Sequence, residues 1–439
     1  MRGAGIILAA PKSGSGKTLI AAALLRHLRD RGLMVAAAKA GPDYIDPTFH
    51  RLAGAEIGAN LDPWGMRPTT LLSLVRELEL QAEIVVCEGV MGLFDGTGPD
   101  GETGSTAELA RVTGWPVVLI VDCSGQGASV AALVEGFARH DPMVPLAGLI
   151  LNRVASERHR VLLAGAIARH LPGLPVIGAM MQDEKLRLTS RHLGLVPAEE
   201  SVEAEALIAR AATQVASFDI DRLLKLARPS PHDVPLGPAG LPRLGRHIAI
   251  ARDECFLFVY EPVLVSWRRQ GVETSIFSPL ADEAPNPDAD AIYLPGGYPE
   301  LHAERLAAAT HFLGSLRGAA DADRTIYGEC GGYMAMGETL TDARDETHRL
   351  AGILPLHTSF AEPRRHLGYR VATLLGPNLF WGDATRFRGH EFHYASIVEE
   401  GDADPLFAIS DASGNDLGHA GLRRGQVAGS FIHLIDETD

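Results

Sequence analysis

Two sets of residues in this chain have the types and spacing that chemistry requires. The first is Pro11-Lys12-Ser13-Gly14-Ser15-Gly16-Lys17-Thr18. It follows an apolar run, Gly5-Ile6-Ile7-Leu8-Ala9-Ala10, and precedes an apolar-periodic stretch from Leu19 to Leu28. Strand, glycine-rich loop and helix together form the setting of a phosphate-binding loop. Its backbone N–H groups would cradle phosphates at the positive end of the helix. Lys17 would reach the terminal phosphates and Thr18 would hold Mg²⁺. Pro11 departs from the usual motif, which opens with Gly. The plainer alternative is a glycine-rich turn without nucleotide, and the strand and helix around the loop argue against it.

The second set lies in the other half of the chain. Gly328-Glu329-Cys330-Gly331-Gly332 follows an apolar run and precedes a helical stretch from Tyr333 to Met336. Glycines around a nucleophile at a strand-to-helix turn allow a sharp, strained elbow. A helix N-terminus there favours thiolate. His433, in Ser430-Phe431-Ile432-His433 after an apparent last strand, would deprotonate Cys330 and later protonate a leaving amine. Pro295-Gly296-Gly297-Tyr298 follows another strand, so backbone N–H groups near Gly297 and Gly331 would face a tetrahedral oxyanion. Taken alone, a cysteine near glycines is more often a packing residue. Cys87 and Cys123 are read that way, and Cys255 has no neighbouring base. The order of glycine pair, cysteine elbow and late histidine sets Cys330 apart.

Placing these residues calls for α/β architecture in both halves. The 439 residues suffice for two or three domains, each with its own core. Strands are predicted at Ile6 to Ala9, Met34 to Ala38, Ile84 to Cys87, Val117 to Val121, Leu149 to Leu151 and Val176 to Gly178. Several are continuous apolar runs, as in parallel strands buried on both faces. Helices from Thr18 to Arg31 and Ala128 to Arg139 complete βαβ units, with ligands at the carboxyl ends of the strands. Lys39-Ala-Gly-Pro-Asp-Tyr-Ile-Asp46-Pro and Glu88-Gly-Val-Met-Gly-Leu-Phe-Asp95-Gly fall at two such ends. Their carboxylates suit Mg²⁺, although Asp and Gly at strand ends also simply make turns. Prolines 229, 231, 235, 238 and 242 mark a semi-rigid linker. The expected domains are therefore residues 1–228 and 246–439, joined by 229–245. Strands of the second are predicted at Ile248 to Ala251, Glu273 to Phe277, Ala291 to Leu294 and Thr325 to Tyr327.

Composition narrows the partners. A net charge of −15 without a basic run argues against nucleic acid. No apolar stretch is long enough to span a bilayer, and the opening residues do not form a signal peptide. Four cysteines without C-x-x-C spacing argue against a zinc site or a disulfide framework and fit a reducing, cytoplasmic setting.

Lys12, just ahead of Ser-Gly-Ser-Gly-Lys-Thr, makes the first loop resemble the deviant loop of the dethiobiotin-synthetase-like ATPases. The second set resembles a class I glutamine amidotransferase domain, in which a Cys–His pair releases ammonia from glutamine. Many such domains carry a Glu two residues after the His. That position here is Ile435, with Asp436 and Glu437 as alternatives. The Lys39 and Glu88 segments, Arg191-His-Leu-Gly-Leu and Gly389-His-Glu-Phe-His-Tyr closely resemble the cobyrinic acid a,c-diamide synthases. This resemblance covers nearly the whole chain. It implies an α/β fold with an N-terminal P-loop-type parallel sheet and a C-terminal, flavodoxin-like amidotransferase domain. It also implies a carbon–nitrogen ligase of cobalamin biosynthesis. Such an enzyme spends ATP and glutamine to amidate the a- and c-acetates of a corrin through an acyl phosphate. The Ala- and Arg-rich composition resembles that of proteins from high-GC bacteria using the oxygen-dependent route, which implies metal-free hydrogenobyrinic acid over cobyrinic acid.

Carried over by position, ATP falls to Lys12, Ser13, Gly14, Ser15, Gly16, Lys17 and Thr18, with Asn152 where similar ATPases read adenine. Mg²⁺ falls to Thr18, Asp46 and Glu88, and the acceptor to Asp43, Asp95 and Arg191. Lys185 and Arg187 near Arg191, and the group Arg364, Arg365 and His366, are cationic clusters suited to a polycarboxylate. The catalytic pair is Cys330 and His433, and the oxyanion residues are Gly297 and Gly331. His390 and His393 form a His-x-x-His pair without an evident third ligand, so a structural role is favoured over metal. The expected partners are small molecules (ATP, glutamine and a corrin polycarboxylate), and a homodimer is left open. Two other readings compete: a nickel-sirohydrochlorin a,c-diamide synthase and a non-catalytic ATP-dependent switch or partitioning protein. The Cys330 elbow with His433 argues against the second.

Overall fold

Short, mostly apolar segments form a seven-stranded sheet in the N-terminal part. They are β1 Ala4–Ala9, β2 Val35–Ala40, β3 Ile57–Leu61, β4 Ile84–Glu88, β5 Val117–Asp122, β6 Leu146–Val154 and β7 Val176–Met181. The computed structural model describes residues 2–98, 100–186, 190–191, 194–195, 203–237, 240–378 and 380–438. The chain divides into two units, Met1–Trp64 with Pro68–Leu236, and Gly65–Arg67 with Gly237–Asp439. In the first unit the strand order is β3-β2-β4-β1-β5-β6-β7. Every pairing is parallel. β2 and β4 are buried along their whole length and β1 at all but its first residue, which explains their unbroken apolar sequences.

β1 lies at the sheet's centre, flanked by strands that come later in the chain on both sides, so its carboxyl end opens at a topological switch point. Helix α1 (Lys17–Asp30) starts there and buries Leu24, Leu25 and Leu28. The edge strand β3 has no counterpart in the sequence reading. Ile57, Gly58 and Ala59 are only half-buried, and Ile-Gly-Ala-Asn-Leu lacks a β-branched run. A short hairpin follows further on, β8 (Ser190–Arg191) against β9 (Gly194–Leu195).

The second unit contains β10 His247–Ala251, β11 Glu273–Phe277, β12 Ala291–Leu294, β13 Thr325–Glu329, β14 Thr339–Thr341, β15 Thr347–Arg349 and β16 Leu356–Ser359. It continues with β17 His366–Leu374, β18 Arg386–His393, β19 Ser396–Glu400, β20 Asp404–Asp411, β21 Asp416–Arg424, β22 Val427–Ser430 and β23 Ile432–Glu437. Ten of them form one sheet in the order β11-β10-β12-β13-β22-β21-β20-β17-β18-β23. The first five are parallel. The rest run antiparallel. A smaller sheet has the order β15-β14-β16-β19. His433 therefore sits within the last strand, β23, rather than after it. Among the described residues, no helix is long and apolar enough to cross a membrane.

One contact fixes how closely β1 approaches its cover. A Cβ added to Gly5 would lie 2.1 Å from the Trp115 ring. That indole donates to Glu79 Oε1 at 2.8 Å, and the same buried carboxylate accepts from the Ser230 amide at 2.6 Å. Gly5→Ala should drive the ring off Glu79. Overpacking of this kind costs about 1–3 kcal/mol, and each kcal/mol moves the midpoint of a unit this size by about 2–4 °C. Calorimetry should show the first unit melting several degrees lower. An unchanged melt would mean the ring yields freely.

Candidate functional sites

The phosphate loop is shaped from behind. Gly14 and Gly16 have φ of 75° and 91°, a region that L side chains rarely occupy. Asn152 Nδ2 donates to Ser15 O at 2.7 Å, and Arg153 Nη2 donates to Gly14 O at 3.0 Å. A Cβ on Gly16 would fall 2.4 Å from Asn152 Nδ2, so glycine alone lets the amide reach the loop. In a trans peptide the N–H points opposite to the C=O. Drawing these two carbonyls one way therefore turns the Ser15 and Gly16 N–H groups the other way, the orientation that suits an anion. Asn152, expected at adenine, thus engages the loop backbone. Ser15 Oγ donates to Lys12 O at 2.9 Å, while the side chains of Lys12 and Ser13 stay exposed.

Behind the loop lies a buried charge cluster. Thr18 Oγ1 donates to Glu88 Oε1 at 2.7 Å, and His50 Nε2 lies 2.8 Å from Glu88 Oε2. Lys39 Nζ is 3.0 Å from Asp46 Oδ2 and 3.7 Å from Glu88 Oε1. Burial works against the Glu88 carboxylate, but Lys39, His50 and Thr18 outweigh it and hold Glu88 at about 2. Burial, with Asp43 and Glu88 close by, raises the Asp46 carboxyl well above its ordinary value. Lys39 is desolvated too, yet Glu88 and Asp46 lift it above its ordinary value. Lys17 Nζ donates to Met91 O at 2.5 Å, and burial plus the Lys39 charge lower it to about 8. Asp43 Oδ1 accepts from the Ile45 and Asp46 amides at 2.8 and 2.9 Å, which starts helix α2 (Asp46–Leu52). Asp95 Oδ2 accepts from the Gly92 amide at 2.9 Å, and its charge acts on Lys17.

Lys12 to Thr18, Asp43, Asp46, Glu88, Asp95 and Asn152 thus belong to neighbouring strand ends and loops of one unit. Thr18 Oγ1 and an ionised Glu88 are hard oxygen donors of the kind Mg²⁺ takes, whereas Asp46 is engaged by Lys39. His50 escaped the sequence reading. Its one signal is its place a helical turn after Asp46. Arg187, His192 and Leu193 lie outside the described residues, and of Arg191 only the backbone, in β8, is described. Lys185, Arg364, Arg365 and His366 are exposed.

In the second unit Cys330 joins β13 to the helix Gly331–Met336 with φ 49° and ψ −106°. Such a non-glycine conformation costs on the order of 1–3 kcal/mol, and the Cys330 amide is tied to Ser430 O at 2.8 Å. The amides of Gly331 and Gly297 are both directed at the sulfur. A Cβ on Gly296 would stand 3.2 Å from Cys330 Cβ and 3.2 Å from His433 Nε2, so the thiol and imidazole flank one point. Burial, helped by Glu300, pushes the Cys330 thiol above its ordinary value. Burial, with His390 and His393 adding to it, lowers His433 to about 3. The pair therefore rests neutral. This departs from the thiolate expected at a helix N-terminus, because desolvation outweighs a six-residue helix.

Asp436 and Glu437, the alternatives for a carboxylate near His433, pair with Arg67, at 2.9 and 2.5 Å. The carboxylate near His433 is Glu329, whose Oε2 is 3.7 Å from Nδ1. His393, Glu391 and His366 converge as a possible cation group. However, Glu391 already faces Arg370 Nε at 2.7 Å and His393 Nε2 at 2.9 Å. His390 is instead the cross-strand neighbour of His433.

Comparison with known proteins agrees with this division. Residues 6–196 match the CobQ/CobB/MinD/ParA nucleotide binding domain, and residues 247–439 match the CobB/CobQ-like glutamine amidotransferase domain. The chain is 52% identical to a hydrogenobyrinate a,c-diamide synthase of Brucella abortus over 98% of both chains. It is 51% identical to one of Rhizobium meliloti, covering 99% of this chain and 100% of that one. A third, from Rhodobacter capsulatus, is 49% identical over 98% of both.

The lowered histidines have a measurable consequence. Burial and Arg370 hold His390 at about 4 in the fold, against 6.5 when free. The unfolded chain therefore binds the extra proton first. The stability is fully present above pH 6.5 and is lost as pH falls toward 4, by about 1.4 kcal/mol per pH unit. Glu329, raised by burial to about 7, opposes this by taking up a proton in the fold. His390→Gln should flatten the fall in melting midpoint between pH 6.5 and 4 relative to the parent. Parallel pH curves for the two proteins would refute the assignment.

Proposed function

We propose a reaction for this chain, which belongs to the family of hydrogenobyrinate a,c-diamide synthases. The a- and c-acetate carboxylates of a corrin are converted in turn to amides, with ATP as activator and glutamine as nitrogen donor. Hydrogenobyrinic acid is preferred to cobyrinic acid as acceptor. The observation that carries this reading is the presence in one chain of two complementary centres. One is a phosphate loop backed by the Thr18–Glu88 pair; the other is a cysteine elbow with a facing histidine and two convergent amides.

The acceptor carboxylate, steered by Asp43 and Asp95 at the neighbouring strand ends, attacks the γ-phosphorus of ATP. The bond to the β–γ bridging oxygen breaks, leaving an acyl phosphate and ADP. Lys17 and the Ser15 and Gly16 amides take up the charge that develops on the phosphate oxygens. Thr18 and Glu88 would hold Mg²⁺, which supplies charge neutralisation there. Lys39 and His50 keep Glu88 ionised and oriented for that task.

Ammonia is made separately. His433 Nε2 takes the Cys330 proton as Sγ attacks the glutamine amide carbon, and the Gly297 and Gly331 amides receive the oxyanion. The imidazolium returns its proton to the leaving nitrogen, the C–N bond breaks and ammonia departs. Water then releases glutamate from the thioester. Ammonia displaces phosphate from the acyl phosphate, and the amide is complete.

The test is to incubate the protein with Mg·ATP and glutamine, offer each acid separately, and count amides by mass spectrometry. Two amides on hydrogenobyrinic acid are expected. ATP hydrolysis without amidation of either acid would reject the reading. Cys330→Ala should lose glutamine-dependent turnover but keep amidation with free ammonia, and normal use of glutamine would remove Cys330 as nucleophile. Lys17→Ala should lower amidation from either nitrogen source by about 10²-fold or more. Retained synthesis with ammonia would refute the loop assignment.

A further inference from the structure

In the second centre, the position two residues after the histidine does not hold the carboxylate that many such domains carry there. Position 435 is a buried isoleucine, and Asp436 and Glu437 are committed to Arg67. A neutral imidazole beside a thiol must keep its proton on the nitrogen away from sulfur and must tolerate a second one during attack. In a buried site that charge needs a partner.

The residue just before the nucleophile meets these needs. Glu329 ends β13 and is 2% exposed. Its Oε1 accepts from the Leu434 amide at 3.0 Å, so the carboxyl is fastened to the strand that carries His433. Its Oε2 accepts from the Tyr293 hydroxyl at 2.8 Å and lies 3.7 Å from His433 Nδ1. The other ring nitrogen, Nε2, is the one that shares the Gly296 position with Cys330. Carboxyl and thiol thus stand on opposite sides of one imidazole. The 3.7 Å separation is an ion-pair distance rather than a hydrogen bond. Such contacts often tighten only when the reacting charge develops.

We propose that Glu329 is the positioning residue of the Cys330–His433 pair, supplying from the strand before the nucleophile the carboxylate absent at position 435. It fixes the tautomer with the proton on Nδ1 and stabilises the imidazolium formed when Nε2 takes the Cys330 proton. No atom is transferred to or from Glu329. Tyr293 from β12 and Tyr327 from β13 face the carboxyl, and the Leu434 amide and His433 face it from β23. His390, His393 and Glu391 of β18 act on His433 as well. Burial raises Glu329 to about 7, so its ionised form, the one that acts, gains over this range as pH rises.

This inference rests on the glutaminase half of the proposed function, and its test avoids the corrin. A glutamine-like chloroketone alkylates the active thiol, and intact-mass measurement follows the rate whatever the acceptor is. Glu329→Gln should slow alkylation by about 10-fold or more and lose the rise in rate near pH 7. Glu329→Asp should regain part of both. With glutamine as donor, Glu329→Gln should lower kcat with little change in KM, and amidation with free ammonia should stay within about twofold of the parent. Parental alkylation rate and pH profile in Glu329→Gln would overturn the proposal. So would equal losses in the Gln and Asp variants with an unshifted profile, which is the mark of packing alone. A parent that alkylates at Cys330 yet amidates neither acid would fail the proposed function and leave this inference standing.

Discussion

A parallel strand buried on both faces has no surface on which to place a charge. A lone ion in its interior would cost several kcal/mol, so ionisable groups gather at the carboxyl ends, and there they must be paired. Both units obey this constraint. Lys39 and Glu88 are in register across β2 and β4, and the pairing that keeps them charged follows directly from that register. Glu329 occupies the last residue of β13, opposite Ser430 of β22, and Cys330 comes next where the strand gives way to helix. The ionisable groups sit at the carboxyl ends of the strands, still buried but within reach of partners.

The two centres meet the burial constraint in opposite ways. In the first unit, Glu88 and Lys39 stay ionised because each offsets the desolvation of the other, while burial and its acidic neighbours lift Asp46 toward neutrality. That environment is already polarised before a polyanionic nucleotide arrives. In the second, Cys330 and His433 both rest neutral, and burial lifts Glu329 toward neutrality as well. In the proposed reaction, charge would appear there only while a bond is being made. Low dielectric then strengthens each contact to that transient charge.

What could be read from the sequence follows the same physics. The phosphate loop and the cysteine elbow were legible because glycine spacing dictates local backbone, and local backbone dictates where N–H groups point. β12 and β11 were legible as apolar or β-prone runs with clean ends. β3 was not, because an edge strand needs little apolar sequence. The antiparallel strands after Thr339 were missed because strands such as β17 are largely exposed or half-exposed and show no clean apolar run. His50 and Glu329 became visible only through tertiary contacts, each made to a strand distant in sequence. The contact of Asn152 with the loop stayed hidden for a related reason: a strand-end amide reads as a turn residue until the loop it meets is in place.

The neutral resting state of Cys330 bears on survival as well as turnover. Oxidants and adventitious electrophiles react with thiolate far faster than with thiol. A sulfur that is 3% exposed and held protonated by desolvation presents them with little to attack. In the proposed reaction the substrate would confer reactivity, its amide carbon meeting the sulfur as the imidazole removes the proton. The burial that holds Cys330 protonated thus also shields it from oxidants before any substrate reaches it.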